Sequence, residues 1–400
     1  MKKLYVVGAK RTAIGTFGGT LKNVSAVQLG VHASKAALED ASLSAENVDE
    51  TIMGNILSAG LGMGPGRQVS IYTGVPQERP GYSVNMLCGS GMKAVMIGAT
   101  DILLNEAEVV LAGGVENMTM APYMLPKGRF GYRLGNGETV DHMVYDGLTD
   151  IFNNYHMGVT AENLAKKYNI SREEQDEFAL ESQMRAKKAI EEGRFKEEIT
   201  PVVIKTRKGE TAFDTDEHPR DTSLEKLAKL RPAFAKDGTV TAGNASGIND
   251  GASSTIITSE DAVNKYNLKP KAEIVAFAQA GVDPAYMGFG PVPAIKKVME
   301  KANMNIEDME LIELNEAFAA QSLAVFKGLE EEFGVTKEWM LERTNVNGGA
   351  IALGHPIGAS GNRIIVTLLY EMEKRDLEYG LASLCIGGGM GTAVIVKRLR

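Results

Sequence analysis

One order of strands, helices and glycine turns runs twice along these 400 residues, and that repetition limits the fold more than any single motif does. Residues 4–12 read as a strand that enters a glycine-rich loop, Ile14 to Gly19. Ser25 and Gln28 make a capping box for a helix to about Asp40, with Val24, Val27, Val31 and Leu38 on its apolar face and His32 off it. A strand over 48–57 follows, then Cys88-Gly89-Ser90-Gly91 leading into a helix over 92–104, then a buried strand at 109–114. After Lys269-Pro270 the plan returns: a strand at 271–281, a helix at 293–302 and a strand at 309–314. Gly358-Ala359-Ser360-Gly361 opens a helix 270 residues after Cys88, and Leu384-Cys385-Ile386-Gly387-Gly388 repeats the strand at 110–114 with an offset of 274. Near-constant offsets mark an internal duplication. Alternating strands and helices predict an α/β fold with mainly parallel sheets, its two halves packed about a pseudo-twofold axis so that equivalent loops meet. The domain reading is a first half over 1–119, a middle segment over 120–248, a return to the first half over 249–268, and a second half over 269–400.

Several function classes fall away on composition. With 43 basic and 51 acidic side chains the formal charge is −8, which speaks against a general nucleic-acid binder. The opening apolar run after Lys2-Lys3 is too short for a signal segment, and no stretch reaches membrane-spanning length, so the expectation is a cytoplasmic protein with no membrane partner. The glycine-rich loop from Gly60 to Gly66 lacks the Lys-Ser/Thr ending of a phosphate loop. Two cysteines and five scattered histidines offer neither a disulfide framework nor zinc-ligand spacing.

Those two cysteines invite chemistry. Cys88 ends a β-prone run and precedes a helix, where unpaired N–H groups and the helix dipole favour negative charge; the expectation is a lowered thiol pKa. Gly89 and Gly91 leave room for a substrate or a second backbone. A buried structural cysteine in a strand-to-helix turn remains the alternative. In the middle segment Ser171 and Glu174 cap a long helix bearing Phe178, Ser182, Ala186 and Ile190, and basic clusters stand at Lys127/Arg129/Arg133, Lys205/Arg207/Lys208 and Lys226/Lys229/Arg231/Lys236. Such clusters are solvated surface or a local anion site.

The duplication brings four loops together: those of Cys88, of Asn315, of His355 in Ala352-Leu353-Gly354-His355-Pro356, and of Cys385. Three stretches, Asn85 to Gly91, Asn347 to Pro356 and Cys385 to Gly391, resemble the signature segments of the thiolases, and the resemblance covers nearly the whole chain. It implies the thiolase fold, two βαβαβαββ halves in αβαβα layers with an inserted loop domain. It also implies joining two acetyl-CoA molecules into acetoacetyl-CoA, and the reverse thiolysis. By resemblance, Cys88 carries the acetyl group, His355 takes its proton, Cys385 is the second-step acid and base, and Asn315 holds a water. The N–H groups of Cys88 and Gly387 form an oxyanion hole.

Coenzyme A is then part of the substrate rather than a separate cofactor. The resemblance puts Arg220 and Phe234 at its adenine end, and Leu148, Ala242, Ser246, Ala317 and Phe318 along the pantetheine channel. His156, Met157 and Met287 stand near the acyl group. It further implies a homotetramer, two dimers tied by the loop at 120–140. The alternatives are a 3-ketoacyl-CoA thiolase of fatty-acid degradation and a thiolase-like carrier without turnover; against a β-ketoacyl synthase stands the Cys385 loop. One stretch, Leu329 to Arg343, is longer than in many relatives and reads as a charged surface excursion.

Overall fold

The computed structural model describes residues 2–207 and 209–399. The first half contains β1 (Leu4–Thr12), α1 (Ala26–Asp40), β2 (Glu50–Gly54), α2 (Pro65–Thr73), β3 (Gly81–Val84), α3 (Ser90–Leu103) and β4 (Val109–Asn117). The middle segment contributes α4 (Met157–Lys167) and α5 (Arg172–Glu191), after which the chain returns as β5 (Asn249–Ser259). The second half is β6 (Ala272–Gly281), α6 (Pro291–Ala302), β7 (Leu311–Leu314), α7 (Ala319–Phe333), α8 (Ile357–Arg375), β8 (Tyr379–Ile386) and β9 (Met390–Arg398).

The long strands form one path in the order β7-β8-β9-β6-β1-β5-β4-β2-β3. Reading outward from the antiparallel β6–β1 seam, each half repeats the same sequence of strands; Val6 faces Ala272 and Tyr5 faces Glu273 across that seam. The expectation of mainly parallel sheets needs correcting. Parallel pairing holds for β2 with β3 and β4, and for β7 with β8, but β5 runs antiparallel to both β1 and β4, and β9 to both β6 and β8. The cause lies in the connections. β8 turns into β9 through three glycines, a hairpin that forces antiparallel pairing, and β5 enters from the middle segment without a crossover helix of its own.

Alternation along each strand makes the layers. In β4, Val109, Leu111 and Val115 face the outer helices α1 and α2, while Val110 and Ala112 face inward. The inward faces of both halves enclose α3 and α8, which pack on each other as the central layer, and α6 and α7 cover the outer face of the second half. Along α8 every residue from Ile357 to Met372 is buried. Each fully buried aliphatic side chain there contributes about 1.5–3 kcal/mol. This is the expected αβαβα arrangement. Both capping boxes form as read, Ser25 with Gln28 and Ser171 with Glu174, and His32 is exposed.

Leu329 to Arg343 is less of an excursion than its charge suggests. Leu329, Val335 and Met340 are buried in the core of the second half, and Trp339 packs against it under the Arg343 guanidinium at 4.0 Å. Among the described residues no helix is long and apolar enough to cross a membrane.

Candidate active site

The central helices start side by side, and their N-terminal turns carry the chemistry. Gly91 on α3 faces the backbone of α8: a Cβ there would lie 2.8 Å from Asn362 N and 2.9 Å from Gly358 O. The room that Gly91 leaves is therefore taken by a second backbone. Just before α3, Leu87 is held at φ 47° by the Asn85 side chain, which accepts its N–H, and by Ser90, whose hydroxyl donates to Leu87 O at 2.6 Å. This left-handed residue turns Cys88 out of the strand and into a cavity of about 470 Å³.

His355 and Cys385 line the same cavity. His355 is buried, its N–H donating to Asn249 Oδ1 at 2.9 Å. Its Nδ1 lies 2.6 Å from Ser360 Oγ, and that hydroxyl donates its proton to Pro356 O. Ser360 has one proton to give, so it accepts from Nδ1–H and leaves Nε2 as the bare, basic nitrogen. Nε2 sits 3.5 Å from Asn315 Nδ2, while Asn315 Oδ1 is buried with no partner among the described residues. Burial, with Arg363 nearby, takes the His355 ring down to about 3, so it is neutral and able to receive a proton.

The lowered Cys88 pKa expected from the helix start is not what the structure gives. Burial pushes the thiol up to about 11; the N–H groups of Gly387 and of Cys88 itself pull the other way, and the Glu116 carboxyl adds to the rise. Desolvation outweighs the dipole because the sulfur lies inside the cleft rather than on an exposed helix end. Both N–H groups of the expected oxyanion hole nevertheless act on the Cys88 sulfur. Cys385 is the penultimate residue of β8 rather than part of the turn, and its thiol is raised by burial and then by the nearness of Cys88.

The walls are apolar. Leu148, Met157, Ala242, Met287, Ala317 and Phe318 line the cavity, with His156, Ser246, Arg220 and Phe234. All ten residues expected to hold the substrate thus face one space. His156 stacks on Phe234 at 4.6 Å, and Phe234 meets Phe318 edge-on at 6.2 Å, so residues assigned to opposite ends of the arm form one aromatic wall.

The basic clusters are elsewhere. Lys205 pairs with Glu210 and Lys229 with Glu225, and neither faces the cavity; Lys208 lies outside the described residues. Residues that sequence reasoning missed include Thr16, Phe17, Met118, His218, Gly247 and Ile357, all in the cavity wall. The glycine-rich surroundings of Phe17 were a usable signal. His218 had none.

Residues 4–261 match the family described as thiolase, N-terminal domain, and residues 268–398 match thiolase, C-terminal domain. The chain is 54% identical over 402 residues to an acetyl-CoA acetyltransferase of Syntrophomonas wolfei subsp. wolfei, covering 100% of both chains. A solved acetyl-CoA acetyltransferase from Syntrophomonas wolfei superposes with a TM-score of 0.97 at 44% identity, again over 100% of both. Human mitochondrial 3-ketoacyl-CoA thiolase in complex with CoA gives 0.93 at 47%, covering 100% of this chain and 98% of that one.

Proposed function

The chain belongs to the thiolase family, and from that premise we propose that it joins two acetyl-CoA molecules into acetoacetyl-CoA and coenzyme A, with Cys88 carrying the acetyl group between them. The observation that carries this reading is the convergence of two thiols and one neutral imidazole on a single cavity.

In the first half-reaction His355 Nε2 takes the Cys88 proton as the sulfur attacks the thioester carbonyl. The oxyanion meets the N–H groups of Cys88 and Gly387, donors worth about 3–4 kcal/mol each in such holes. Coenzyme A leaves as the thiol, its proton returned by His355. In the second half-reaction the Cys385 thiolate, its own proton held on His355 Nε2, removes a methyl proton from a second acetyl-CoA, and the enolate oxygen meets that Nε2–H and a water held on Asn315. The carbanion attacks acetyl-Cys88, and the released Cys88 sulfur regains its proton from Cys385.

The coupling of the two thiols gives the order. A thiolate at Cys88 opposes ionisation of Cys385; acetylation removes that charge, so the second base becomes available only once the first sulfur is loaded. The substrate arm runs along Leu148, Ala242, Ser246, Ala317 and Phe318 toward the acyl end at His156, Met157 and Met287, with Phe234 beside His156 and Arg220 outermost. Degradative thiolysis of long chains is the less favoured reading, since the curated relatives bear the acetyltransferase name.

Two further parts of the proposal are a cytoplasmic setting, where the free thiols stay reduced, and a tetramer built through the loop at 120–140. That loop exposes Tyr123, Leu125, Phe130 and Leu134, more apolar surface than a solvated loop usually carries. A light-scattering mass of one chain would remove the tetramer, and a pool of the protein secreted with oxidised thiols would remove the cytoplasmic setting.

The decisive experiment is peptide mass spectrometry after incubation with acetyl-CoA, using the intact protein and the Cys385→Ser variant. One acetyl group is expected on the Cys88 peptide, persisting in the variant while acetoacetyl-CoA formation falls by about 10²–10⁴-fold. An unacetylated Cys88 peptide in both proteins sinks the mechanism.

A further inference from the structure

His218 is 4% exposed and lines the cleft, yet its Nδ1 has no hydrogen-bond partner among the described residues. Buried polar atoms are nearly always bonded, so an orphan on a residue that lines a binding space points to a partner on the ligand. The ring is packed against the chain and its neighbour is anchored. Gly247 packs against it so closely that a Cβ there would fall 2.2 Å from Cε1 and 2.7 Å from Nε2. The preceding residue, Glu217, is a clasp. Its carboxylate accepts the N–H and hydroxyl of Thr16 at 2.8 and 2.9 Å, and those of Thr20 at 3.0 and 2.7 Å. That clasp pins the loop carrying Phe17 to the same rim of the cleft.

Position along the cleft follows from the chain. Asn249, two residues beyond Gly247, holds the His355 backbone at the inner end, and Arg220, two residues beyond His218, is exposed at the mouth. His218 therefore stands between the reacting groups and the entrance. Burial, with Arg220 adding to it, takes the ring down to about 4. It is neutral at physiological pH and offers one N–H donor and one acceptor nitrogen. A secondary amide meets the orphaned Nδ1 in either tautomer, its carbonyl accepting from Nδ1–H or its N–H donating to a bare Nδ1; a phosphate or carboxylate meets only the first. The arm of coenzyme A between thiol and nucleotide carries two such amides.

Resting on the reading of this cleft as an acyl-CoA channel, we infer that His218 binds an amide of the pantetheine arm and makes the protein favour thioesters that carry that amide over those that lack it. Phe17 supplies the apolar backing of the same wall.

The test measures acetylation of Cys88 at increasing concentrations of acetyl-CoA and of S-ethyl thioacetate, which has no amide, in the intact protein and in His218→Phe and His218→Asn. His218→Phe should raise the KM for acetyl-CoA about tenfold, keep kcat within about twofold, and leave S-ethyl thioacetate unaffected. His218→Asn, which keeps a donor and an acceptor, should recover most of the loss. An unchanged KM for acetyl-CoA, or equal losses with both thioesters, overturns the assignment. If His218→Phe does not fold, His218→Ala takes its place in the same comparison, since it removes the ring without adding bulk. Failure of the underlying reading would look different: the unsubstituted protein would leave Cys88 unacetylated by either thioester, and the His218 assignment would fall with it.

Discussion

At the scale of single residues, the hydroxyl of Ser360 decides what His355 can do. An imidazole with its proton on Nε2 would point a donor at Cys88 and could not take the thiol proton; with Ser360 accepting from Nδ1–H, the lone pair faces the cleft. Cys88 needs that help because burial holds its thiol at about 11, leaving little thiolate at neutral pH. Ser360→Ala should therefore slow acetylation of Cys88 by about 10–100-fold, less than the about 10²–10⁴-fold that a general base itself is worth. Single-turnover acetylation followed by mass spectrometry reads the rate, and a thermal melt within a few degrees of the parent shows that the fold is kept. A variant as fast as the parent would mean that the ring holds its tautomer without the serine.

At the scale of elements, the central pair of helices sets the distance between nucleophile and base. Cys88 precedes α3 and His355 precedes α8, so any wedge between the two N-terminal turns separates the reacting atoms. Gly91→Ala drives such a wedge into the α8 backbone, where no flexible side chain can yield. The expected cost is about 1–3 kcal/mol of stability, with a larger fractional loss of acetyl transfer than of melting temperature. Unfolding in urea and acetylation of Cys88 measure the two sides; a Gly91→Ala protein with full activity would show that the helices part without moving the site. The elements were legible in sequence because periodicity and capping are local signals: both capping boxes, the duplicated order and the three signature turns all appear where they were read. Strand direction was not legible, because the approach of β5 depends on where the middle segment, some 130 residues of it, delivers the chain. The sign of the Cys88 shift was hidden for a related reason, since a helix start is visible in sequence and burial beneath a distant β8 turn is not. His218 reaches the cleft beside the Glu217 clasp, a contact between positions about 200 residues apart that no spacing rule reveals.

At the scale of the whole molecule, duplication about the β1–β6 seam puts the chemistry in the interior, and an interior site titrates against the fold. His355 stays neutral down to about 3 when folded, against an ordinary value of about 6.5 in an unfolded chain. Below pH 6.5 the unfolded state therefore binds a proton that the native state refuses, and native stability falls as pH drops from 6.5 toward 3. At pH 5 the loss from this one ring is about 2 kcal/mol. Other buried groups act in the opposite sense: burial lifts the Glu116 carboxyl to about 8 against the N–H groups of Leu57, Ile56 and Gly358, which stabilises the fold on acidification through that range. A raw pH profile mixes these effects, so the useful quantity is a difference. His355→Asn keeps Glu116 and every other titrating group, and subtracting its urea stability from that of the parent cancels them. The difference should be flat above about pH 7.5 and should shift by about 2 kcal/mol in favour of the variant by pH 5. A difference that stays flat over the whole range would mean that the ring is solvated in the native protein, and the cleft would then lack the dry, neutral base on which acetyl transfer to Cys88 depends.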